Sequence, residues 1–318
     1  MTLTIQQASL FLSIQDAGRF GYQRFGMPES GPIDWWAFRA ANRLVGNGPT
    51  AACVEIGFSD AEIWVKERSL LAVAGAGYQL FVNARQLPLW MSFVAKPGDR
   101  LRFKKASGGN WVYLATAGGV QSPVWMGSRS TFPAAGLGKK LVEGDQLSLS
   151  ALAGESAALA GNIMPESQRP HYADNVLLRV IPGPHQERFS PSSRTKFWET
   201  PYSVSTQSDR MGYRLEGPTL MHTNGADLVS QGMILGQIQV PGNGQPIVMM
   251  PDHPTTGGYT YIGTVAKVDL PLLVQLAPGG GTLHFKPCEI NEAQALWGTA
   301  IEKIDSTCQF EEDLWLGL

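Results

Sequence analysis

Short runs of strand-forming residues, interrupted by glycine and proline, are the feature that most restricts the fold of this chain. Its 318 residues include 36 glycines and 21 prolines, and both residue types end strands and form tight turns. The pattern predicts a mainly β protein, built from closed barrels or sandwiches with a few short helices. The predicted strands are Ala61–Val65, Leu70–Ala74, Leu101–Phe103, Trp111–Thr116, Val176–Ile181, Ile234–Val240, Pro246–Met250 and Tyr259–Val265.

Three segments have the signals of helices. Asp34 and Ser190 can each cap a helix N-terminus, and Gly46 can end a helix in a left-handed conformation. The predicted helices run from Asp34 to Gly46, from Ser190 to about Trp198, and from about Asn291 through Trp297.

The length of the chain predicts two domains, because a single core rarely grows through 318 residues. Between Ala151 and Tyr172 the sequence is rich in Ala, Gly, Ser and Pro and lacks periodicity, which is typical of a linker. We expect an N-terminal domain over 1–155, a linker over 156–172, and a C-terminal domain with a terminal helix over 173–318.

Charge and cysteine content restrict the partners and the compartment. The net charge is −2 without a run of Lys or Arg, so neither nucleic acid nor a membrane surface is an expected partner. The apolar runs Leu70–Ala76 and Leu270–Leu276 are far shorter than the ~20 residues that span a bilayer and are interpreted as strands. The N-terminus lacks a signal-peptide pattern, and Cys53, Cys288 and Cys308 are odd in number and far apart. These features predict a cytoplasmic protein with reduced thiols.

Familiar catalytic motifs do not occur in the sequence. It contains no Walker A loop, no G-x-G-x-x-G after a strand, no G-x-S-x-G and no H-E-x-x-H. The five histidines do not pair with cysteine or with each other at metal-ligand spacing, so no metal site is predicted. No biotin-carrier A-M-K-M segment occurs either, so biotin would have to arrive on another chain.

Two glycine-rich stretches of the N-terminal half combine charge with exposed backbone. Asp16 and Arg19 lie on one loop that can clamp an anionic ligand, or they can pair with each other to hold a turn. Ser30 and Asp34 flank the start of a helix. Helix capping and a catalytic role explain an aspartate at position 34 equally well. Both interpretations of each stretch stay open at this point.

The segment Gly127–Thr131 gathers three hydroxyls and an arginine behind a glycine. Such a loop suits the binding of an oxyanion or a phosphate, and an ordinary polar turn is the alternative.

The C-terminal half has two further polar loops. Arg210 and Arg214 are two like charges that require anions nearby, supplied by a ligand or by salt bridges with Asp209 and Glu216. Residues 252–259, Asp-His-Pro-Thr-Thr-Gly-Gly-Tyr, follow an apolar run and combine a carboxylate, two hydroxyls and two glycines. In this loop Asp252 can move a proton or bind magnesium, the threonines can donate to an oxyanion, and the glycines let a ligand approach the backbone. A purely structural turn is the alternative.

Two glutamines interrupt apolar runs that are interpreted as strands. Gln239 and Gln275 must each find a buried hydrogen-bond partner or face a pocket. A satisfied position in the core is the more common outcome of the two.

An ordered series of short motifs extends from roughly Leu10 to Phe285. The motifs are Asp16-x-Gly18-Arg19-x-Gly21, Ser30-Gly31-x-x-Asp34, Ala41-Asn42-x-Leu44-Val45-Gly46-Asn47, Gly127-Ser128-x-Ser130-Thr131, Ile181-Pro182-Gly183-Pro184, Ser208-Asp209-Arg210-Met211-Gly212-Tyr213-Arg214-Leu215, Ile238-Gln239-Val240-Pro241, Gly244-Gln245-Pro246-Ile247-Val248 and Thr255-Thr256-Gly257-Gly258-Tyr259. In this order they resemble the biotin-dependent carboxyltransferase family, also called allophanate hydrolase subunit 2. That family includes the C subunit of bacterial 5-oxoprolinase and the carboxyltransferase part of urea carboxylase.

The resemblance implies two tandem cyclophilin-like β-barrel domains and a place in a heteromeric complex. The expected partners are a B subunit that is similar to a kinase inhibitor, and an A subunit. The expected function is hydrolysis of the small molecule 5-oxo-L-proline to L-glutamate, coupled to hydrolysis of ATP with magnesium. The alternatives are a urea carboxylase-like carboxyltransferase that uses biotin, or a regulatory module that binds a kinase-inhibitory B-type subunit.

The resemblance and the loop chemistry together define the candidate site, in which arginines clamp anions and carboxylates bind magnesium or transfer protons. The candidate catalytic residues are Asp16, Asp34, Arg210, Asp252, Thr255 and Thr256. The candidate substrate- and anion-binding residues are Arg19, Ser30, Ser128, Arg129, Ser130, Thr131, Arg214, Gln239, Gly257, Gly258 and Tyr259. The sequence departs from the family pattern at Gly136–Lys140, where relatives show a Gly-Gly and an Arg, so an anion contact at that position is in doubt.

Overall fold

The computed structural model describes residues 2–150, 159–306 and the backbone of 309–310. The described strands are β1 (Thr2–Gln7), β2 (Phe11–Gln15), β3 (Cys53–Gly57), β4 (Ala61–Val65), β5 (Ser69–Gly75), β6 (Tyr78–Val82), β7 (Arg85–Leu87), β8 (Met91–Ala95), β9 (Arg100–Lys105), β10 (Trp111–Thr116), β11 (Val120–Gln121), β12 (Gln146–Leu149), β13 (Asn162–Ile163), β14 (Asn175–Pro182), β15 (Ser203–Val204), β16 (Gly212–Glu216), β17 (Asp227–Gly232), β18 (Gln237–Gln239), β19 (Ile247–Met249), β20 (Thr256–Tyr259), β21 (Tyr261–Val265), β22 (Thr282–Pro287) and β23 (Gln309–Phe310). The described α-helices are α1 (Trp35–Leu44), α2 (Pro191–Glu199), α3 (Leu270–Gln275) and α4 (Ile290–Asp305). The predicted mainly β architecture with a few short helices is confirmed.

The chain divides into two compact units. The first unit comprises the described residues of Met1–Arg19, Ser30–Pro170 and Glu302–Leu318, and the second comprises Phe20–Glu29 and His171–Ile301. The division after Pro170 falls inside the segment predicted to be a linker, 156–172. Residues 156–158 of that segment lie outside the described residues, whereas Asn162 and Ile163 form β13 in a sheet of the first unit.

Two sheets form the first unit. Within the described residues, their strand orders are β11-β12-β1-β4-β9-β6-β7 and β2-β3-β10-β5-β8-β13-β23. Leu3 and Ile63 from the first sheet share one apolar cluster with Val54 and Val112 from the second, and all four side chains are fully buried. Because alternate residues of a strand point to opposite faces, each sheet contributes every second residue to this core.

Helix α1 covers the second sheet of this unit. Strands β5 and β10 are buried along their whole length, which requires that both of their faces are covered. One face points into the core, and the other packs against α1, where Phe38 contacts Tyr113 edge-on with ring centroids 5.9 Å apart. The helix is therefore held against the face of β5 and β10 by side-chain packing.

The second unit is a closed barrel. Its main sheet has the order β15-β16-β19-β18-β21-β14-β22 among the described residues, with β14 and β22 parallel and the other pairs antiparallel. Tyr202, immediately before β15, and Leu283 of β22 exchange two backbone hydrogen bonds of 2.9 and 2.8 Å, which join the two ends of the sheet. A separate two-stranded ribbon is formed by β17 and β20. Within the described strands, this closure covers the two edges that an open sheet would expose.

The predicted N-caps of two helices, α1 and α2, are confirmed. The Asp34 side chain accepts a hydrogen bond from the Ala37 N–H at 3.0 Å, and the Ser190 side chain accepts one from the Ser193 N–H at 3.2 Å. The predicted third helix is longer than expected and extends to Asp305 as α4. No described helix has the length and apolarity required to cross a bilayer.

The interpretation of Leu270–Leu276 as a strand is wrong, because residues Leu270–Gln275 form helix α3. Pro271 lies in the first turn, where its missing N–H costs no hydrogen bond. Leu270, Leu273 and Val274 face the core, so the helix buries the apolar side chains that a strand would also have buried. Periodicity cannot separate the two states in so short an apolar run. Gln275, assigned to a strand by the same error, is a buried residue of this helix.

Other predicted strands have different bounds in the structure, and Pro246–Met250 is shortened to Ile247–Met249. Of Ile234–Val240, only Gln237–Gln239 form a strand, because Gly236 has a φ of 83° and Ile234 is 59% exposed in the preceding turn. The predicted strand Tyr259–Val265 is divided at Thr260 between the ribbon and the barrel. Cys53 and Cys288 are free thiols, as expected, and Cys308 lies outside the described residues.

Candidate functional site

Asp16 organises the polar loops of the first unit. It follows β2 directly, and its carboxylate accepts hydrogen bonds from the Ser128 hydroxyl at 2.6 Å and the Ser130 hydroxyl at 2.7 Å. The backbone N–H groups of Arg129 and Gly18 donate to the same carboxylate at 2.6 and 3.0 Å. Three of these donors converge on Oδ1 and one on Oδ2, so Asp16 joins two loops that are more than a hundred residues apart in sequence.

Arg19 extends this network inside the first unit. Its side chain is fully buried, and it donates to the Ser130 carbonyl oxygen at 2.6 Å and to the Ser30 hydroxyl at 3.3 Å. The sequence placed Arg19, Ser30 and Ser130 in one candidate site, and the structure brings them together. The buried guanidinium contributes to the cohesion of these loops.

Asp34 lies in a neighbouring buried cluster. Its N–H donates to the Tyr113 hydroxyl oxygen at 2.9 Å, and that hydroxyl donates to Glu55 at 2.6 Å. Burial, followed by the negative charges of Glu55 and Asp34, raises the pKa of Tyr113 well above its ordinary value. Tyr113 therefore remains a hydrogen-bond donor. The Asp34 side chain caps α1, and its backbone N–H is the last donor in this chain of hydrogen bonds.

Replacement of Asp34 by alanine is expected to destabilise the protein by about 0.5–2 kcal/mol, because α1 loses its N-cap. Chemical denaturation followed by circular dichroism measures this difference. The Asp34→Ser variant is the matched control, since serine also caps helices and should retain most of the stability. An alanine variant as stable as the parent would show that the cap contributes nothing.

A pocket of about 450 Å³ opens beside the Asp16 network and is lined by Arg129, Thr131 and Lys139 among others. Arg129 donates to the Gln121 side chain at 3.1 Å, and Lys139 pairs with Asp145 at 2.6 Å. Burial raises the pKa of Asp145, but the hydrogen bonds from Lys139 and from a backbone N–H outweigh burial and lower that pKa. Both cations of this pocket thus already have acceptors. Lys139 belongs to the segment that departs from the family pattern.

Arg210 and Asp252 form a buried ion pair in the second unit. Arg210 Nε lies 2.8 Å from Asp252 Oδ2, and Nη2 lies 3.2 Å from Oδ1. The two residues are only 9% and 6% exposed. Such a two-point contact fixes the loop that begins at Asp252 against the segment before β16. The sequence considered Asp209 as the partner of the arginines, but its Oδ1 accepts from the backbone N–H groups of Met211 and Gly212.

The second unit also contains a pocket of about 320 Å³, at the small end of the range for ligand sites. It lies where β16, β19 and β18 meet the ribbon. Six predicted site residues line it: Arg214, Gln239, Thr256, Gly257, Gly258 and Tyr259. The remaining lining residues are Asp209, Met211, Gly212, Met233, Ile247, Met249 and Pro254.

Gln239 and Arg214 are two polar groups of this pocket with hydrogen-bonding capacity left over. Gln239 is only 6% exposed, and its side-chain amide makes no hydrogen bond to any described residue. The exposed Arg214 guanidinium likewise forms no hydrogen bond or ion pair within the described part of the chain. The strand register places both residues directly opposite Ile247, so the three side chains form one row across the sheet. Of the two alternatives stated for Gln239, a partner in the core or a position at a pocket, the structure shows the second.

The sequence overlooked the apolar wall of this pocket. Met233, Met249 and Ile247 line it, but no charge or glycine pattern marks them as site residues. Thr255, Arg210 and Asp252 belong to adjoining segments and do not line the pocket. No cluster of three His, Cys, Asp or Glu side chains that could hold a metal occurs in the described ranges.

Comparison with known proteins places this geometry in a family. Residues 25–287 match the family described as carboxyltransferase domain, subdomain A and B. The chain is 35% identical to the C subunit of 5-oxoprolinase from Escherichia coli over 299 residues, covering 92% of this chain and 93% of the relative. It is 30% identical to the urea amidolyase of Lachancea kluyveri, covering 90% of this chain but only 17% of that protein.

Solved structures agree. The urea carboxylase of Kluyveromyces lactis superposes with a TM-score of 0.89 at 28% identity, covering 98% of this chain and 30% of that chain. TTHA0988 superposes with a TM-score of 0.82 at 33% identity over 90% of this chain, which spans 55% of TTHA0988. This chain therefore belongs to the family of carboxyltransferase domains with subdomains A and B.

Proposed function

We propose that this chain is the C-type subunit of a 5-oxoprolinase complex, which opens 5-oxo-L-proline to L-glutamate and couples that step to ATP hydrolysis. The observation that carries the proposal is the extent of the match to the bacterial subunits. It covers 92% of this chain and 93% of the Escherichia coli protein, which is named for that activity. A second bacterial C subunit of 5-oxoprolinase, from Haemophilus influenzae, matches 89% of the chain at 31% identity.

The small pocket of the second unit supports the same conclusion. 5-Oxoproline combines a carboxylate with a lactam amide, and the pocket combines a cation with an amide over an apolar floor. A volume of about 320 Å³ suits a compact ligand.

The overall reaction consumes two waters. The γ-phosphoryl group of ATP passes to the lactam oxygen and ADP leaves. One water then adds to the lactam carbon as its bond to nitrogen breaks and the amine takes up a proton. A second water releases phosphate from the resulting acyl phosphate and leaves the glutamate side-chain carboxylate.

Partner subunits supply the nucleotide site in this proposal. The sequence put forward Asp16, Asp34 and Asp252 for magnesium or proton transfer; in the structure Asp16 accepts hydrogen bonds from its neighbours, Asp34 caps α1 and Asp252 pairs with Arg210. They do not fit a metal–phosphate site, and the sequence contains no nucleotide-binding motif. We assign ATP and magnesium to the A and B subunits, and the recognition of substrate to this chain.

Carboxyl transfer is the second candidate function. It is favoured by the superposition on urea carboxylase, whose matched region covers 98% of this chain. Biotin, carried by another chain, would then present its ureido ring to the same pocket. A regulatory role through a B-type partner is the third candidate.

Reconstitution of this chain with its A and B partners tests these candidates. We expect ATP-dependent release of glutamate from 5-oxo-L-proline by the complete mixture, and no release when any one subunit is omitted. A stable complete complex that releases no glutamate would overturn the proposal. Transfer of carboxylate from carboxybiotin by the same complex would then establish the second candidate.

A further inference from the structure

We infer that the pocket of the second unit is a recognition site for a five-membered cyclic amide, in which Gln239 binds the amide and Arg214 binds a carboxylate on the same ring. The inference rests on the proposed function only for the identity of the ligand. It assigns the chemical role of two residues whose side chains make no hydrogen bond within the described part of the chain.

The burial of Gln239 carries the first step. Gln239 is 6% exposed, and its amide atoms are not among the fully buried described groups that lack a partner, so the amide remains accessible from the pocket. The Gln239 amide has no hydrogen-bond partner among the described residues, and it lines a pocket. A ligand in the pocket can take the place of the water that otherwise hydrates this amide.

The chemistry of the amide selects the ligand. A glutamine side chain presents one N–H donor and one carbonyl acceptor side by side. A lactam in a five-membered ring is held in the cis form, so its own N–H and carbonyl oxygen lie on the same edge. The two groups can therefore form a pair of antiparallel hydrogen bonds, which an open-chain trans amide cannot offer.

Gly257 keeps this amide accessible. A Cβ atom at position 257 would overlap Met233 Sδ and would come within 2.6 Å of Gln239 Nε2. Glycine therefore leaves room at the amide, while the methionine and Ile247 provide an apolar surface for ring methylenes.

Arg214 supplies the positive charge that pairs with the carboxylate of the ligand. Arg214 and Gln239 flank Ile247 on neighbouring strands, so their backbones are roughly 10 Å apart and both side chains can reach one small ligand above Ile247. Asp209 also lines the pocket, but its carboxylate accepts from two backbone N–H groups. The guanidinium suits two-point binding of a carboxylate.

Two natural compounds share this chemistry. 5-Oxo-L-proline carries its carboxylate on the ring, whereas the ureido ring of biotin carries its carboxylate at the end of a chain. Calorimetric titration of the full chain with 5-oxo-L-proline, 2-pyrrolidinone, L-proline and biotin separates them. 2-Pyrrolidinone lacks the carboxylate, and L-proline lacks the carbonyl group.

The expected pattern is specific to each side chain. Gln239→Leu should weaken the binding of both 5-oxoproline and 2-pyrrolidinone by about tenfold or more, because each ligand loses its pair of hydrogen bonds to the Gln239 amide. Arg214→Gln should weaken the binding of 5-oxoproline by about tenfold and leave the affinity for 2-pyrrolidinone unchanged. Arg194→Gln, the same charge change on α2 outside the pocket, is the matched control and should alter neither.

Two results would overturn the inference: no binding of any cyclic amide at millimolar concentration, or equal binding by the parent and Gln239→Leu. Gly257→Ala, which fills the pocket without removing a polar group, tests the same site if Gln239→Leu fails to fold. Tighter binding of biotin than of 5-oxoproline, still lost in Gln239→Leu, would keep the cyclic-amide site but remove the proposed substrate. Conversely, an active 5-oxoprolinase complex whose KM does not change in Gln239→Leu would keep the function and remove the site.

Discussion

Asp252→Ala is expected to destabilise the second unit by about 3–5 kcal/mol, since it leaves the Arg210 guanidinium charged and buried without its carboxylate. The stability is lost because the Arg210 charge is already removed from water and the variant no longer has the Asp252 carboxylate to pair with it. Urea denaturation of the full chain, followed by tryptophan fluorescence and circular dichroism, measures it.

Two controls separate this stability effect from catalysis. Asp227→Ala removes an exposed carboxylate of the same unit and should change the free energy of unfolding by less than about 0.5 kcal/mol. The double variant Arg210→Met, Asp252→Leu removes both charges and should recover much of the lost stability. An Asp252→Ala protein that retains full stability but loses all activity would instead identify Asp252 as a catalytic base.

Asp16→Ala should be the most damaging substitution in the first unit, with an expected loss of about 2–4 kcal/mol. The carboxylate accepts four hydrogen bonds, and a hydrogen bond to a charged group contributes about 1.5–3 kcal/mol net, but contributions within one network do not add. The buried hydroxyls of Ser128 and Ser130 would lose their acceptor together. Thermal unfolding and amide exchange of residues 128–130 measure the loss.

Asp60→Ala is the control for Asp16, because Asp60 is an exposed carboxylate that accepts a single backbone hydrogen bond from Lys105. Its loss should cost no more than about 1 kcal/mol. If Asp16→Ala unfolds with the midpoint of the parent, the four contacts do not stabilise the fold, and a direct role of Asp16 at a ligand becomes the better account.

Local signals predicted the helices and most strands. A capping side chain followed by helix-forming residues is a signal that spans only a few positions, which explains why α1 and α2 were predicted. Helix α3 was missed because its apolar run fits a strand or a helix equally well, and tertiary packing decides between them.

The site was predicted less completely because its contacts join distant segments. Composition identified the loops of Asp16 and Ser128, but not that the first accepts hydrogen bonds from the second across 112 residues. Likewise, Arg210 and Asp252 were both selected, yet their mutual pairing depends on the barrel register. Gln239 shows the limit most clearly, since an isolated glutamine in an apolar run does not reveal whether it faces a neighbour or a pocket.

Closure of the barrel between Tyr202 and Leu283 has a consequence for synthesis of the protein on the ribosome. Strand β14 pairs in parallel with β22, which is made about a hundred residues later, so the barrel cannot form until β22 has left the exit tunnel. Pairings of such long sequence separation form slowly. Until then the nascent chain exposes two open strand edges. During this interval chaperones can bind the incomplete unit, and a chain that terminates before β22 is made yields an aggregating product.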